Sequence, residues 1–108
     1  MPDHTITLGN VELVSLSDGF PLRSPLTPFP DTKIEQWREF PGLLDGNDQY
    51  TTRYGTVAVR SEGKRIIVGG GLQEADGTLM DDMKAKVIDP AAVDLVVFTH
   101  LHPDHVGW

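Results

Sequence analysis

The sequence predicts an α/β fold in which a mixed, mostly antiparallel sheet is combined with short helices. Its 108 residues are enough for one domain. Two β-branched, alternating segments are each followed by a turn and a returning segment, which is typical of β-hairpins. A helix, a continuous apolar strand and the start of a further segment come after them. This order of elements is the one expected for half of a layered α/β domain.

The first third of the chain predicts a hairpin followed by an extended loop. Residues 5–16 (TITLGNVELVSL) alternate apolar and polar side chains around a Gly9-Asn10 turn, and Asp18-Gly19 ends the second strand. Four prolines between positions 21 and 30 remove backbone donors, so this stretch is expected to be a loop. Asp31 is suited to cap a short helix. The apolar positions of that helix follow helical spacing: Ile34, Trp37 and either Phe40 or Leu43.

The middle of the chain predicts a second hairpin and a second helix. Residues 51–60 and 65–68 read as strands, with a turn at 61–64. Three glycines at 69–71 end the hairpin, and we interpret them as a flexible turn rather than a phosphate-binding loop, because no Lys or Ser/Thr follows. A helix beginning at Thr78 has acidic residues near its start and lysines near its end, as the helix dipole prefers.

The last twenty residues lead into a cluster of histidines. Asp89-Pro90 is expected to open one helical turn. Residues 95–98 (LVVF) then form a continuous apolar run, which is typical of a strand buried on both faces. Three of the four histidines follow within six residues, whereas His4 is interpreted as an inert surface residue.

Composition excludes several classes of function. The formal charge is 9 − 16 = −7, which argues against binding to nucleic acid or to an anionic membrane surface. The sequence has no cysteine, so a metal would have to be held by imidazole and carboxylate groups. The first residues have neither the basic nor the apolar part of a signal peptide, and we therefore expect a cytoplasmic protein.

The histidine cluster has the side chains of a metal site. In extended backbone His100 and His102 project to the same side, and Pro103 lets the chain turn so that Asp104 and His105 reach nearly the same point. Three nitrogens and one carboxylate suit zinc and would also accept iron, manganese or cobalt. Two pairs of ligands indicate half-sites for two ions. The alternative is a loop that is histidine-rich by chance.

The stretch THLHPDHVGW resembles the HxHxDH signature of the metallo-β-lactamase-fold hydrolases. The approach IDPAAVDLVVFTH, the strand RIIV and the leading hairpin follow that family's order, and the proline loop is most similar to its lactonase-like and organophosphate-hydrolase-like branch. The resemblance implies an αββα sandwich of which residues 1–108 are the N-terminal half. It also implies that His100 and His102 bind a first zinc ion, and that Asp104 and His105 bind a second. Asp104 would then be the catalytic residue that positions a metal-bound hydroxide.

Three departures from the family's pattern bear on activity. The family's remaining ligands follow the signature, and none lies between it and Trp108, so we expect little hydrolysis by this chain alone. Gly69, Gly70 and Gly71 stand where the family usually has DTG, whose Asp supports the metal loop. Val87 stands where Gly commonly closes the preceding helix. A β-branched residue does not readily adopt the left-handed conformation, so we expect this helix to end differently.

The leading hypothesis is thus the N-terminal part of a metal-dependent hydrolase acting on an ester, lactone, thioester or phosphoester of a small molecule. The alternative is a non-catalytic metal-binding chain, or a half-domain that needs a homo-oligomer or a complementing C-terminal half. A redox protein using iron is a third hypothesis. The proline loop and Trp37 would either line the substrate pocket or pack as core and loop.

Overall fold

A computed structural model describes residues 4–108, which form two compact units. One unit contains the residues up to Gly19 together with Tyr54–Trp108, and the other is Phe20–Arg53. The strands are β1 (Thr5–Leu8), β2 (Val11–Ser17), β3 (Leu22–Arg23), β4 (Tyr50–Thr51), β5 (Gly55–Ser61), β6 (Lys64–Val68) and β7 (Leu95–Val97). The helices are α1 (Ile34–Arg38) and α2 (Leu79–Ala85), with 3-10 turns at Pro90–Ala92 and Pro103–His105.

The first unit is built on a five-stranded sheet in the order β1-β2-β5-β6-β7. The first four strands pair antiparallel, and β7 pairs parallel to β6 with Val68 opposite Val97. Both predicted hairpins are present, because Gly9-Asn10 and Glu62-Gly63 supply tight turns between β-branched strands. The sheet is therefore mixed and mostly antiparallel, as the sequence predicts.

One face of this sheet packs against α2. The buried side chains come from β2, β5, β6, α2 and the residue Ile88 beyond it: Val14, Leu16, Ala58, Ile67, Leu79, Met83 and Ile88. On β2, Val14 and Leu16 alternate with less buried residues, which is the period-two pattern of a strand with one face in the core.

The C-terminal end of α2 contradicts the expectation for Val87. This residue does adopt the left-handed conformation, with φ of 59°. Val87 N donates to Lys84 O and Ile88 N donates to Met83 O, which is the pattern of a Schellman motif. The buried Ile88 and a hydrogen bond from Arg60 to Val87 O hold the backbone in a conformation that a β-branched side chain disfavours.

Strand β7 is present, but the prediction that it is buried on both faces is wrong for the described residues. Leu95 is 53% exposed, Val96 47% and Val97 41%. Hydrogen bonding to β6 covers one edge of the strand, and no element among residues 4–108 covers its remaining surface. A continuous apolar run indicates that both faces of a strand are suited to pack against apolar surfaces. Whether the faces are buried depends on which other elements cover them.

The second unit has little regular structure. It contains α1 and a two-stranded antiparallel ribbon of β3 and β4. Helix α1 begins after Lys33 rather than after Asp31, because the Gln36 side chain reaches back to accept a hydrogen bond from Lys33 N at 2.8 Å. Arg38 makes a two-pronged ion pair with Asp48.

In the part of the chain that the structure describes, no helix is both long and apolar enough to span a bilayer.

Candidate metal centre

The candidate ligands lie directly after β7, at the carboxyl end of the parallel pair. The chain leaves β7 after Val97, and His102 has extended backbone with φ of −63° and ψ of 147°. Pro103 then opens a 3-10 turn that ends at His105. The predicted alternation is observed, since the rings of His100 and His102 meet edge to face with centroids 4.6 Å apart.

The 3-10 turn returns His105 to the same place. Its ring centroid lies 4.2 Å from that of His100. Nε2 of His105 is 3.3 Å from Oδ2 of Asp104, and Nδ1 of His100 is 2.9 Å from the hydroxyl of Thr99. Pairwise contacts thus link all four predicted ligands in the structure. His4, in contrast, lies at the far end of the chain and is exposed.

The spacing of these groups can be compared with what zinc requires. Two donor atoms bound tetrahedrally at 2.0–2.1 Å lie about 3.3 Å apart, and two such imidazoles have centroids about 5 Å apart. The Asp104–His105 pair matches the first distance, and the two ring contacts of His100 are slightly shorter than the second. Among residues 4–108, however, no three His, Asp or Glu side chains are arranged to hold one ion. The donors fit zinc in chemistry and as pairs, and gathering three requires side-chain rotation.

The three glycines at 69–71 are not a flexible turn. All three are buried. Gly69 N donates to Val97 O at the end of β7, and Gly70 and Gly71 pair through the backbone with the end of the histidine segment, residues 100–108. Gly70 N donates to His105 O at 2.7 Å, Trp108 N to Gly70 O at 2.8 Å, and Gly107 N to Gly71 O at 2.8 Å. These backbone hydrogen bonds hold the end of the histidine segment. Residues 69–71, which the sequence predicts to be a flexible turn, therefore form a hydrogen-bonded pairing segment.

Gly69 occupies the position at which the resemblance leads one to expect a supporting aspartate. Its φ is +87°, a conformation that side chains rarely adopt. A Cβ atom placed there would lie 3.4 Å from Nδ1 of His105 and 3.4 Å from the Thr56 hydroxyl, which itself lies 2.6 Å from Gly69 O. The position does face a ligand, but its backbone favours glycine, so no carboxylate reaches His105 from here.

Sequence reasoning missed Asp18, which it treated only as the end of a strand. Asp18 is 4% exposed. Its Oδ2 accepts hydrogen bonds from Leu72 N at 2.8 Å, Gln73 N at 3.2 Å and Trp108 Nε1 at 2.9 Å, and its Oδ1 accepts one from Leu79 N at 2.9 Å. The signal available in the sequence was an acidic residue continuing the alternation of β2 just before a glycine.

The surroundings of Asp18 favour its charged form. Burial by itself raises the pKa of this carboxyl group. The four hydrogen bonds, of which that from Trp108 has the largest effect, together lower the pKa by more than burial raises it. The net effect holds the pKa of Asp18 below its ordinary value. One carboxylate therefore caps α2, in place of the Thr78 side chain, and anchors the last residue of the histidine segment.

The Trp37 side chain packs against residues of its own unit. Its indole Nε1 donates to the Thr32 hydroxyl at 2.8 Å, and its ring lies 5.5 Å from that of Phe29. Phe29 belongs to the proline loop, so the loop and α1 stabilise each other. The expectation that these residues line a substrate pocket stays a prediction.

Comparisons with known proteins bear on the family. Residues 56–108 match the model of the metallo-beta-lactamase superfamily. A solved structure, the hydrolase AbOPH of the beta lactamase superfamily, is 28% identical, with a TM-score of 0.81 over 95% of this chain and 37% of its own. AidC, a dizinc quorum-quenching lactonase solved with a product, is 23% identical, with a TM-score of 0.77 over 98% of this chain and 40% of its own.

The chain thus spans about two fifths of the length of these solved structures. No curated protein matches it in sequence. The family model covers the segment with the candidate ligands, and the described fold superposes on the first part of both structures. Sequence pattern and fold agree: residues 56–108 match the metallo-beta-lactamase superfamily, and the described fold is similar to solved structures of that superfamily.

Proposed function

We propose that this protein is a metal-dependent hydrolase that cleaves an ester, lactone or phosphoester bond of a small molecule. The observation that supports this most is the pairwise contact among four potential donors directly after β7, with His100 in ring contact with both His102 and His105, and Asp104 beside His105. Such a group of side chains has no evident structural purpose, because the segment is largely exposed and contributes nothing to the core of the described residues.

In this proposal His100 and His102 hold one divalent ion, and Asp104 and His105 hold a second. Zinc fits a donor set of imidazole and carboxylate without thiolate, and iron or manganese would also be accepted. A bound ion of this kind acts as a Lewis acid and lowers the pKa of water toward 7. Asp104 is the residue suited to orient the attacking water and to take its proton, since its Oδ2 lies beside His105 and its side chain is only half-buried.

The comparisons support this proposal at the level of the superfamily. One neighbour is described as a hydrolase and another as a dizinc lactonase, and both are longer than this chain. The choice of zinc, the bond cleaved and the use of two ions are therefore proposals for this protein. The same holds for its cytoplasmic location and for any homo-oligomer or complementing chain.

Zinc uptake by the purified protein tests the ligand assignment. We expect wild type to retain zinc through dialysis and His102→Ala to lose most of it, because one imidazole of a four-donor segment is removed. The matched control is His4→Ala, since His4 is exposed and remote in sequence from the segment. Metal content measured by elemental analysis would contradict the assignment if His102→Ala and His4→Ala retained equal amounts.

Hydrolysis assays separate the proposal from its alternative. Lactone, aryl ester and phosphotriester substrates are offered to the zinc-loaded protein, and turnover that Asp104→Asn abolishes would support the hydrolase. Because we expect little hydrolysis by residues 1–108 alone, zinc uptake without turnover would agree with that expectation, and only turnover separates the hydrolase from a non-catalytic metal-binding chain. Visible absorbance and iron content in the protein as isolated would instead favour the redox hypothesis.

A further inference from the structure

We propose that Asp18 and Trp108 act as positioning residues that hold the segment 105–108 in place and thereby set the metal affinity of the site. The part of this inference that concerns metal affinity rests on the proposed function. The Asp18 carboxylate and the Trp108 indole N–H are engaged with each other, and the carboxylate also with backbone N–H groups. They act through the backbone that carries His105, and we name the pair the Asp18–Trp108 clamp.

The first step is that Asp18 joins three pieces of the first unit. Its carboxylate lies at the end of β2, caps the first residue of α2 and accepts two hydrogen bonds from the 72–73 backbone. The fourth donor is the Trp108 indole. Because Asp18 is itself buried and caps the buried Leu79, it is a fixed point to which the end of the histidine segment can be attached.

The second step is that Trp108 is close to a ligand along the chain and along the ladder. Only Val106 and Gly107 separate it from His105. Residues 105–108 are held at both ends, since Gly70 N donates to His105 O and Gly70 O accepts a hydrogen bond from Trp108 N. Backbone hydrogen bonds on an exposed segment are easily opened, so an additional side-chain anchor decides how often the segment leaves its position.

The third step concerns the two glycines beside the clamp. Gly71 leaves space for the contact between Asp18 and Trp108, and Gly69 has no side chain that could support His105 instead. A Cβ atom at Gly71 would lie 2.7 Å from Asp18 Oδ2 and 2.8 Å from Trp108 Cδ1, so glycine at this position is what lets the two groups meet. Gly69 provides no carboxylate for His105. Asp18 therefore supports the site through the main chain, where an aspartate at position 69 would have supported it directly.

The test compares the two tryptophans of the chain, each of which donates one indole hydrogen bond. Trp108→Phe keeps the aromatic ring and removes the donor to Asp18, whereas Trp37→Phe removes the donor to Thr32 in the other unit. Zinc affinity is measured by competition with a chromophoric chelator, well below each variant's melting temperature. Losing an outer support of a metal ligand typically weakens binding 10–100-fold. We expect a loss of that size in Trp108→Phe and none in Trp37→Phe.

A second measurement needs no zinc. Hydrogen exchange of the metal-free protein should show faster exchange of the amides at 70, 107 and 108 in Trp108→Phe, with core amides of β5 unchanged. Faster exchange in β5 as well would mean general destabilisation and would overturn a specific clamp. Unchanged exchange at 107 and 108 would also overturn it.

The outcomes distinguish this inference from the proposed function. If wild type binds zinc and both tryptophan variants bind it equally well, the clamp does not position the ligands and the inference is wrong, while the hydrolase proposal stands. If wild type binds no zinc, the hydrolase proposal fails and the metal part of the inference fails with it. The exchange rates then decide whether the clamp holds the segment.

Discussion

Asp18 shows how one side chain can organise several backbone segments. Four donors surround its carboxylate, and three of them are backbone N–H groups, of which that of Leu79 is buried. Replacing the carboxylate with an amide puts an NH₂ group opposite at least one N–H, because asparagine has a single acceptor oxygen. The residue is therefore sensitive to a change that barely alters its size.

We predict that Asp18→Asn lowers the free energy of unfolding by about 1 to 3 kcal/mol at pH 7, the cost of leaving a hydrogen-bond donor of this site unpaired. Since the folded pKa is lowered, the contribution of Asp18 is complete above its unfolded pKa of about 3.9 and is lost as the pH falls through the folded pKa. The difference between wild type and variant should shrink over that range. Denaturant unfolding measured from pH 7 to pH 2 checks this.

The matched control is Asp48→Asn. A hydrogen bond from Arg38 lowers the pKa of Asp48, but this ion pair is exposed to solvent and such pairs contribute little to stability. Unfolding of this variant should follow wild type at every pH. An Asp18→Asn curve that runs parallel to wild type down to pH 2 would contradict the role given to the Asp18 carboxylate.

The ends of helix α2 are decided by residues outside the helix. At its start the cap comes from Asp18, and at its end Arg60 on β5 donates to Val87 O. Helical spacing, acidic residues at the start and lysine at the end were readable in the sequence, and the helix is where they predict it. The conformation of Val87 was not readable, because tertiary contacts of Ile88 and Arg60 overcome a local preference.

Val87→Gly should therefore stabilise the protein. Val87 is 83% exposed, so little packing is lost, and a left-handed residue with a Cβ costs about 1 kcal/mol relative to glycine. We expect a gain of about 1 kcal/mol, measured by thermal or denaturant unfolding. Val87→Ala retains the Cβ and should show no comparable gain. A less stable Val87→Gly variant would mean that the Val87 side chain makes a contribution the strain does not outweigh.

At the scale of the whole molecule, binding and stability are linked if the proposed site holds metal. A ligand that binds only the folded state at 100 times its Kd stabilises that state by about 2.7 kcal/mol. We predict this increase for wild type on adding zinc, its reversal by a chelator, and its absence in His102→Ala. Unfolding midpoints at several zinc concentrations provide the measurement. An equal increase in His102→Ala would place the bound zinc elsewhere.

The sequence alone determined the order of the elements, the mostly antiparallel sheet and the four candidate ligands. These depend on local patterns: tight-turn residues between alternating strands, and the HxHxDH spacing after an apolar run. Such features can be read without the tertiary structure because they depend on the conformations of adjacent residues. The ring contacts of His100 with His102 and His105 agree with that reasoning.

Only the tertiary structure decided the exposure of β7, the left-handed Val87 and the pairing of residues 69–71 with the histidine segment. It also decided the function of Asp18, whose partners lie 54, 55, 61 and 90 residues away along the chain. No local pattern encodes such distances. The physical reason is that burial and hydrogen-bond partners are properties of the packed molecule, whereas a sequence window contains only the preferences of neighbouring residues.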